Sequence, residues 1–176
     1  IGRYQPDNGQ ASCLPCTPGM YSKLEGISEC IDCLAGRASS LVARDTDCDT
    51  CVAGRHQPEN GSTACLKCIP GLYQTLEEQH GCVECTVGRA SSLVARNTDC
   101  DTCLAGRHQP ESGMTACLNC IPGRHQPKVE QAECEICKKN TFAATAQQSS
   151  CTDCASGKYT TSTGSASCQS CGAGSY

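Results

Sequence analysis

Apolar positions along this chain follow neither the 3.6-residue period of a helix nor a sustained alternation. They come as short clusters, such as Leu41-Val42 and Leu93-Val94, separated by turn signals such as Pro58 and Asn60-Gly61. The pattern predicts little or no helix. In each recurring segment it predicts an irregular hairpin of two strands, roughly three or four residues each. Large apolar side chains are scarce: Trp is absent, Phe occurs once and Tyr five times. A chain so poor in them needs covalent or metal staples to hold a fold.

Cysteine supplies the staples. There are 20 in 176 residues, a density at which a disulfide or metal scaffold is the leading reading. All fall in C-x-x-C pairs: Cys13/Cys16, Cys30/Cys33, Cys48/Cys51, Cys65/Cys68, Cys82/Cys85, Cys100/Cys103, Cys117/Cys120, Cys134/Cys137, Cys151/Cys154 and Cys168/Cys171. Successive pairs start 17 residues apart, except for steps of 18 from Cys30 to Cys48 and from Cys82 to Cys100. The predicted tandem repeats are 1–17, 18–34, 35–52, 53–69, 70–86, 87–104, 105–121, 122–138, 139–155 and 156–172, with 173–176 opening another. Residues 36–71 and 88–123 agree at 31 of 36 positions, so a block of three repeats has been duplicated. Because the chain starts inside a repeat, it is expected to be an excerpt of a longer array. Two strands per repeat at the usual spacing give a rise of roughly 10 Å per repeat and an elongated, rod-like or solenoid-like array of about 100 Å.

Two slots recur around the cysteines. A glycine follows each pair by three residues (Gly19, Gly36, Gly54, Gly71, Gly88, Gly106, Gly123, Gly157, Gly174), and Gly2 occupies the same place in the first repeat. Asn140 is the exception, and Asn is the residue that best tolerates positive φ after glycine, so the slot predicts a left-handed turn. Two residues further on stands a ring: Tyr4, Tyr21, His56, Tyr73, His108, His125, Phe142, Tyr159 and Tyr176. Packing of a flat side chain on the neighbouring disulfide explains that slot better than metal binding by its histidines, since Tyr fills it elsewhere. The 18-residue repeats have Ala38 and Ala90 instead, and their Leu41-Val42 and Leu93-Val94 are expected to supply the missing apolar cover.

Three chemistries use C-x-x-C. A redox motif opens a helix in a βαβ unit, which nothing between these pairs supports. A zinc ribbon needs two pairs about 15–20 residues apart; here the gaps are 13 or 14. Zinc also couples repeats two by two, whereas the duplication runs by threes, so near-identical repeats would have to take opposite partners. Disulfides in a secreted array remain. A scheme treating all repeats alike joins the second cysteine of one pair to the first of the next: Cys16–Cys30, Cys33–Cys48, Cys51–Cys65, Cys68–Cys82, Cys85–Cys100, Cys103–Cys117, Cys120–Cys134, Cys137–Cys151 and Cys154–Cys168. Cys13 and Cys171 would then bond outside the segment. Each link closes a loop of about 15 residues and contributes up to about 3 kcal/mol. A rival uniform scheme beginning Cys13–Cys33 stays open.

Other candidate sites are few. Asn60-Gly61-Ser62 is an N-glycosylation sequon in a predicted turn, though its copy reads Ser112-Gly113-Met114. Thr160, Thr161, Ser162 and Thr163 are weaker candidates for O-glycans. Asp45, Asp47 and Asp49 alternate around Cys48 and make a weak calcium candidate without EF-hand spacing. His80 reads as a surface loop residue. No metal or cofactor is otherwise implied.

The phrases GRYQPDNGQASCLPCTPGMYS and CIPGLYQTLEEQHGCVEC resemble the ephrin-receptor-like cysteine-rich repeat, related in style to the modules of tumour necrosis factor receptors. The resemblance runs over essentially the whole chain and departs at Asn140, Ala38 and Ala90. It implies an extracellular, disulfide-bonded, β-poor rod of the kind found in receptors, adhesion proteins and surface coats, with no catalytic residues.

Charge narrows the function classes. The net charge of −4 is spread without a basic run, which argues against nucleic acid. No apolar stretch approaches the roughly 20 residues of a membrane span. Signatures of a catalytic triad, paired carboxylates or a phosphate loop are lacking, so an enzyme is not expected. The leading expectation is a structural subunit of an extracellular filament, ciliary hair or cell-surface coat, self-associating into fibres or a layer and carrying glycans. The alternatives are a ligand-binding or spacer stalk of a surface receptor or adhesion protein, with the divergent repeats 122–138 and 139–155 as the place for a ligand, and a protozoan-type surface antigen armoured by its disulfides.

Overall fold

The computed structural model describes residues 1–172; Gly174 and Tyr176, which the sequence places in the turn and ring slots, lie outside the described residues, as does the segment 173–176. Twenty strands of two residues each make up the regular structure, and no helix occurs among the described residues. The chain divides into two units, residues 1–83 with 93–99 and residues 84–92 with 100–176.

The first unit contains β1 (Arg3–Tyr4), β2 (Leu14–Pro15), β3 (Met20–Tyr21), β4 (Ile31–Asp32), β5 (Arg37–Ala38), β6 (Asp49–Thr50), β7 (Arg55–His56), β8 (Leu66–Lys67) and β9 (Leu72–Tyr73), with β10 (Val83–Glu84) at its end. Antiparallel pairs form between β1 and β2, β3 and β4, β5 and β6, and β7 and β8. The second unit contains β11 (Arg89–Ala90), β12 (Asp101–Thr102), β13 (Arg107–His108), β14 (Leu118–Asn119), β15 (Arg124–His125), β16 (Glu135–Ile136), β17 (Thr141–Phe142), β18 (Thr152–Asp153), β19 (Lys158–Tyr159) and β20 (Gln169–Ser170). These pair in sequence order as five further antiparallel hairpins.

The second strand of every hairpin is the x-x dipeptide of a C-x-x-C. That explains why the strands have two residues where the sequence predicts three or four. The β4 dipeptide Ile31–Asp32 is bounded by Cys30 and Cys33, both committed to disulfides. Its partner β3 starts beside Gly19, whose φ is 88°, and ends at Ser22, whose N–H donates to Arg44 O of the following repeat at 3.0 Å. The ladder has nowhere to extend. It also makes each C-x-x-C extended rather than helical.

In the first unit the core is a row of sulfurs. Cys16, Cys33 and Cys51 are fully buried and Cys68 almost so, and in the second unit the same holds for Cys85, Cys103, Cys120 and Cys137. Large apolar side chains such as Leu34, Ile69, Leu104 and Ile121 stay exposed. The expected apolar cover in the 18-residue repeats is corrected here. Leu41, Val42, Leu93 and Val94 are all more than half exposed, while Ala38 and Ala90 are buried. In the first unit the extra residue lets Arg44 fold inward instead, with 9 % of its side chain exposed. It donates to Ser39 Oγ at 3.3 Å and Asp47 O at 2.8 Å and pairs with Asp49. A guanidinium fills the gap because its five donors reach backbone acceptors that leucine would leave unsatisfied.

Backbone contacts join repeat to repeat within each unit. Gly2, Gly19, Gly36 and Gly54 donate to Ser22, Ser39, Gln57 and Gln74 carbonyls at 2.7–2.8 Å. In the second unit Gly88, Gly106 and Gly123 do the same with Gln109, Gln126 and Ala143 at 2.8–2.9 Å. Contacts also reach two repeats along: Cys51 O accepts from Glu78 N, and Cys103 O from Glu130 N, each at 2.8 Å.

Candidate functional site

The chemistry of this molecule is concentrated along its disulfides and the polar side chains that hold their loops. In the first unit the structure joins Cys16–Cys30, Cys33–Cys48, Cys51–Cys65 and Cys68–Cys82. In the second it joins Cys85–Cys100, Cys103–Cys117, Cys120–Cys134, Cys137–Cys151 and Cys154–Cys168. Each closes 14 or 15 residues, with Cα atoms 5.5–5.8 Å apart. Cys33 bonds Cys48, not Cys13; Cys13 and Cys171 are free and exposed.

Sequence reasoning missed two residues per loop. The residue after the glycine is often Arg, and its Nη1 donates to the carbonyl of the first cysteine of the next pair: Arg3 to Cys13 at 3.1 Å, Arg55 to Cys65 and Arg124 to Cys134 at 3.2 Å. The residue after the ring is often Gln and is buried. Gln57 Nε2 donates to Ala64 O at 2.7 Å while its Oε1 accepts from Glu59 N at 3.2 Å. Gln74, Gln109 and Gln126 repeat the same pair of bonds at the same offsets. One amide thus clamps both sides of a loop that has no apolar filling. The signal was the recurring ring-glutamine dipeptide in YQP, HQP and YQT.

The turn slot has positive φ at every described position, Asn140 included with φ 64°. Asn140 Oδ1 accepts from Thr160 N at 3.4 Å, and Asn140 N donates to Thr160 Oγ1 at 2.7 Å. That reciprocal clip corrects one candidate: Thr160 is buried with its hydroxyl engaged, so it is not presented to a glycosyltransferase. Thr161, Ser162 and Thr163 are exposed. Asn60 is also exposed, and its Oδ1 accepts from Ala35 N at 2.8 Å.

The three aspartates do not converge. Lys23 Nζ holds Asp47 at 2.6 Å and Arg44 grips Asp49 through both oxygens, while Asp45 stands exposed. The lysine and the arginine hold their carboxyls below the usual carboxylate range. Two ion pairs recur with the duplication. Arg37 Nε donates to Glu78 Oε1 in the first unit, and Arg89 Nε to Glu130 Oε1 at 2.6 Å in the second; each guanidinium lowers its partner's pKa. The phenol of Tyr21 is raised by burial and by its bond to Asp47.

The ring-slot histidines differ. His56 Nδ1 lies 3.2 Å from the carbonyl of exposed His80, and His108 Nδ1 3.0 Å from Ala132 O. His125 Nδ1 instead lies 3.1 Å from Cys151 Sγ.

Short antiparallel hairpins, consecutive disulfides and backbone-joined repeats define a disulfide-rich tandem-repeat protein. Within that class, residues 2–43 and 127–171 match the family described as tyrosine-protein kinase ephrin type A/B receptor-like, and these two segments are similar to its repeats. No curated protein matches the chain. Among the described residues no helix is long and apolar enough to cross a membrane.

Proposed function

We propose that the chain is a structural segment of an extracellular filament, ciliary hair or cell-surface coat. The observation that supports this most is the stacking within each unit, where glycine N–H groups and cysteine carbonyls bond one and two repeats along. Tension on such a chain is shared by backbone bonds and sulfur–sulfur links, and hydrolysis of one loop leaves its ends tied. The disulfide density supports an oxidising, extracellular setting, in which exposed Asn60 is available to carry an N-glycan. Copies associate with one another to make the fibre or layer.

A second reading is supported by the family match, whose description names a receptor and which covers 2–43 and 127–171: a spacer or ligand-binding stalk of a surface receptor or adhesion protein. Negative-stain imaging of native material separates the two. Long uniform fibres are expected from the structural segment; single molecules that bind a soluble partner with saturable affinity would overturn it in favour of the stalk.

A further inference from the structure

The corner at His125 is unlike its counterparts. In β7 and β13 the ring-slot histidine faces leucine across the hairpin, His56 opposite Leu66 and His108 opposite Leu118. In β15 the residue opposite His125 is Glu135. Its carboxylate lies 3.8 Å from His125 Nε2, while Nδ1 turns to Cys151 Sγ. The side chain of His125 is only 18 % exposed, and Cys137 is fully buried. One imidazole nitrogen and the two sulfurs of Cys137 and Cys151 lie within 4.8 Å of one another, the one such ligand group among the described residues.

We propose that this corner is a latent metal site: on reduction of the Cys137–Cys151 bond, His125 Nδ1 and the two thiolates bind a borderline-soft divalent cation of the zinc type, with Glu135 positioning the ring. The reductant is a dithiol. Its thiolate attacks the bond and its second thiol completes the exchange, so two electrons pass to Cys137 and Cys151 and the dithiol leaves as a cyclic disulfide. Both cysteines emerge as thiols, and their protons are released when the cation binds. Zinc–sulfur and zinc–nitrogen bonds of about 2.3 and 2.0 Å need ligand atoms roughly 3.5–3.8 Å apart. His125 Nδ1, 3.1 Å from Cys151 Sγ, has to draw back by a few tenths of an ångström, and the two sulfurs have to part. A carboxylate hydrogen-bonded to the far nitrogen of a metal-bound histidine fixes its tautomer and raises its basicity; Glu135, 3.8 Å from Nε2, takes that place by closing less than about 1 Å. The three protein ligands leave a fourth position for water.

Two substitutions have counterparts inside the chain, the alanine in the 18-residue repeats and the leucine in 17-residue ones. Alanine occupies the ring slot at Ala38 and Ala90, and leucine occupies the cross-strand place at Leu66 and Leu118. The full chain is reduced with limiting dithiol, the opened bond is located by differential alkylation and mass spectrometry, and Zn²⁺ or Co²⁺ is added, the latter followed by its thiolate charge-transfer absorption. One Co²⁺ per chain is expected, displaced by Zn²⁺, with both ions protecting Cys137 and Cys151 from alkylation. His125→Ala should abolish binding, Glu135→Leu should weaken it about 10–100-fold, and His108→Ala should leave it unchanged. Equal binding by His125→Ala, free Cys137 and Cys151 thiols that give no cobalt signal, or a bond that opens only together with all the others would each overturn the proposal.

Discussion

Gly19 and Gly61 meet backbone against backbone: a Cβ on Gly19 would occupy the space of the Gly61 carbonyl oxygen. The same seat is made by Gly36 on Glu78 and, in the second unit, by Gly123 on Gly164. Glycine is therefore required for two reasons at once, a φ of 88° and the absence of a side chain at the point where a repeat lies on the one two places earlier.

Gly19→Ala is expected to destabilise the chain by about 2–5 kcal/mol, combining left-handed strain with overpacking. Gly81→Ala is the control, because Gly81 has open space and no positive φ; it should be neutral or stabilise by up to about 1 kcal/mol. Urea unfolding of the oxidised chains measures both, and an equal effect of the two would contradict the seat.

The glutamine clamp gives a second expectation. Gln109→Ala removes the bonds to Ala116 O and from Glu111 N, at a cost of about 1–3 kcal/mol. Gln109→Glu should fare little better, since a carboxylate cannot donate to Ala116 O. Hydrogen exchange at the Glu111 amide should quicken in both variants, with the distant disulfides unaffected.

Acidification tests the duplicated ion pairs. Arg37 lowers the pKa of Glu78 from 4.5, and Arg89 does the same for Glu130. A lowered folded-state pKa contributes stability in full above the unfolded value, and that contribution disappears as pH falls through the lowered one. Thermal melting from pH 7 to 3 should therefore drop more steeply for the natural chain than for Glu78→Gln with Glu130→Gln. Both carboxylates are partly exposed, so the difference should be small and shrink with added salt.

Asn140 predicts a fourth result. Thr160→Val deprives Asn140 N of its acceptor at a buried position and should cost about 1–3 kcal/mol. Thr160→Ser keeps the hydroxyl and should cost clearly less by the same unfolding assay.

What the sequence determined by itself is whatever depends on local spacing. The 17- and 18-residue steps set the repeats, the scarcity of large apolar residues ruled out an ordinary core, and the lone Asn140 among glycines announced positive φ. Short hairpins without helix followed from the same pattern. Tertiary structure decided which side chains turn inward and which neighbours, up to 42 residues away, they meet. The folded loop also decides that Arg44, not Leu41 or Val42, fills the longer repeat, because its acceptors on Ser39, Asp47 and Asp49 converge on the guanidinium only once the loop has closed. Only in the tertiary structure does Thr160 prove to be a buried partner of Asn140, and Gly19 a seat for Gly61. His125 reads like His56 and His108 along the chain; it differs because the hairpin register sets Glu135 opposite it and the fold brings Cys151 to its other nitrogen.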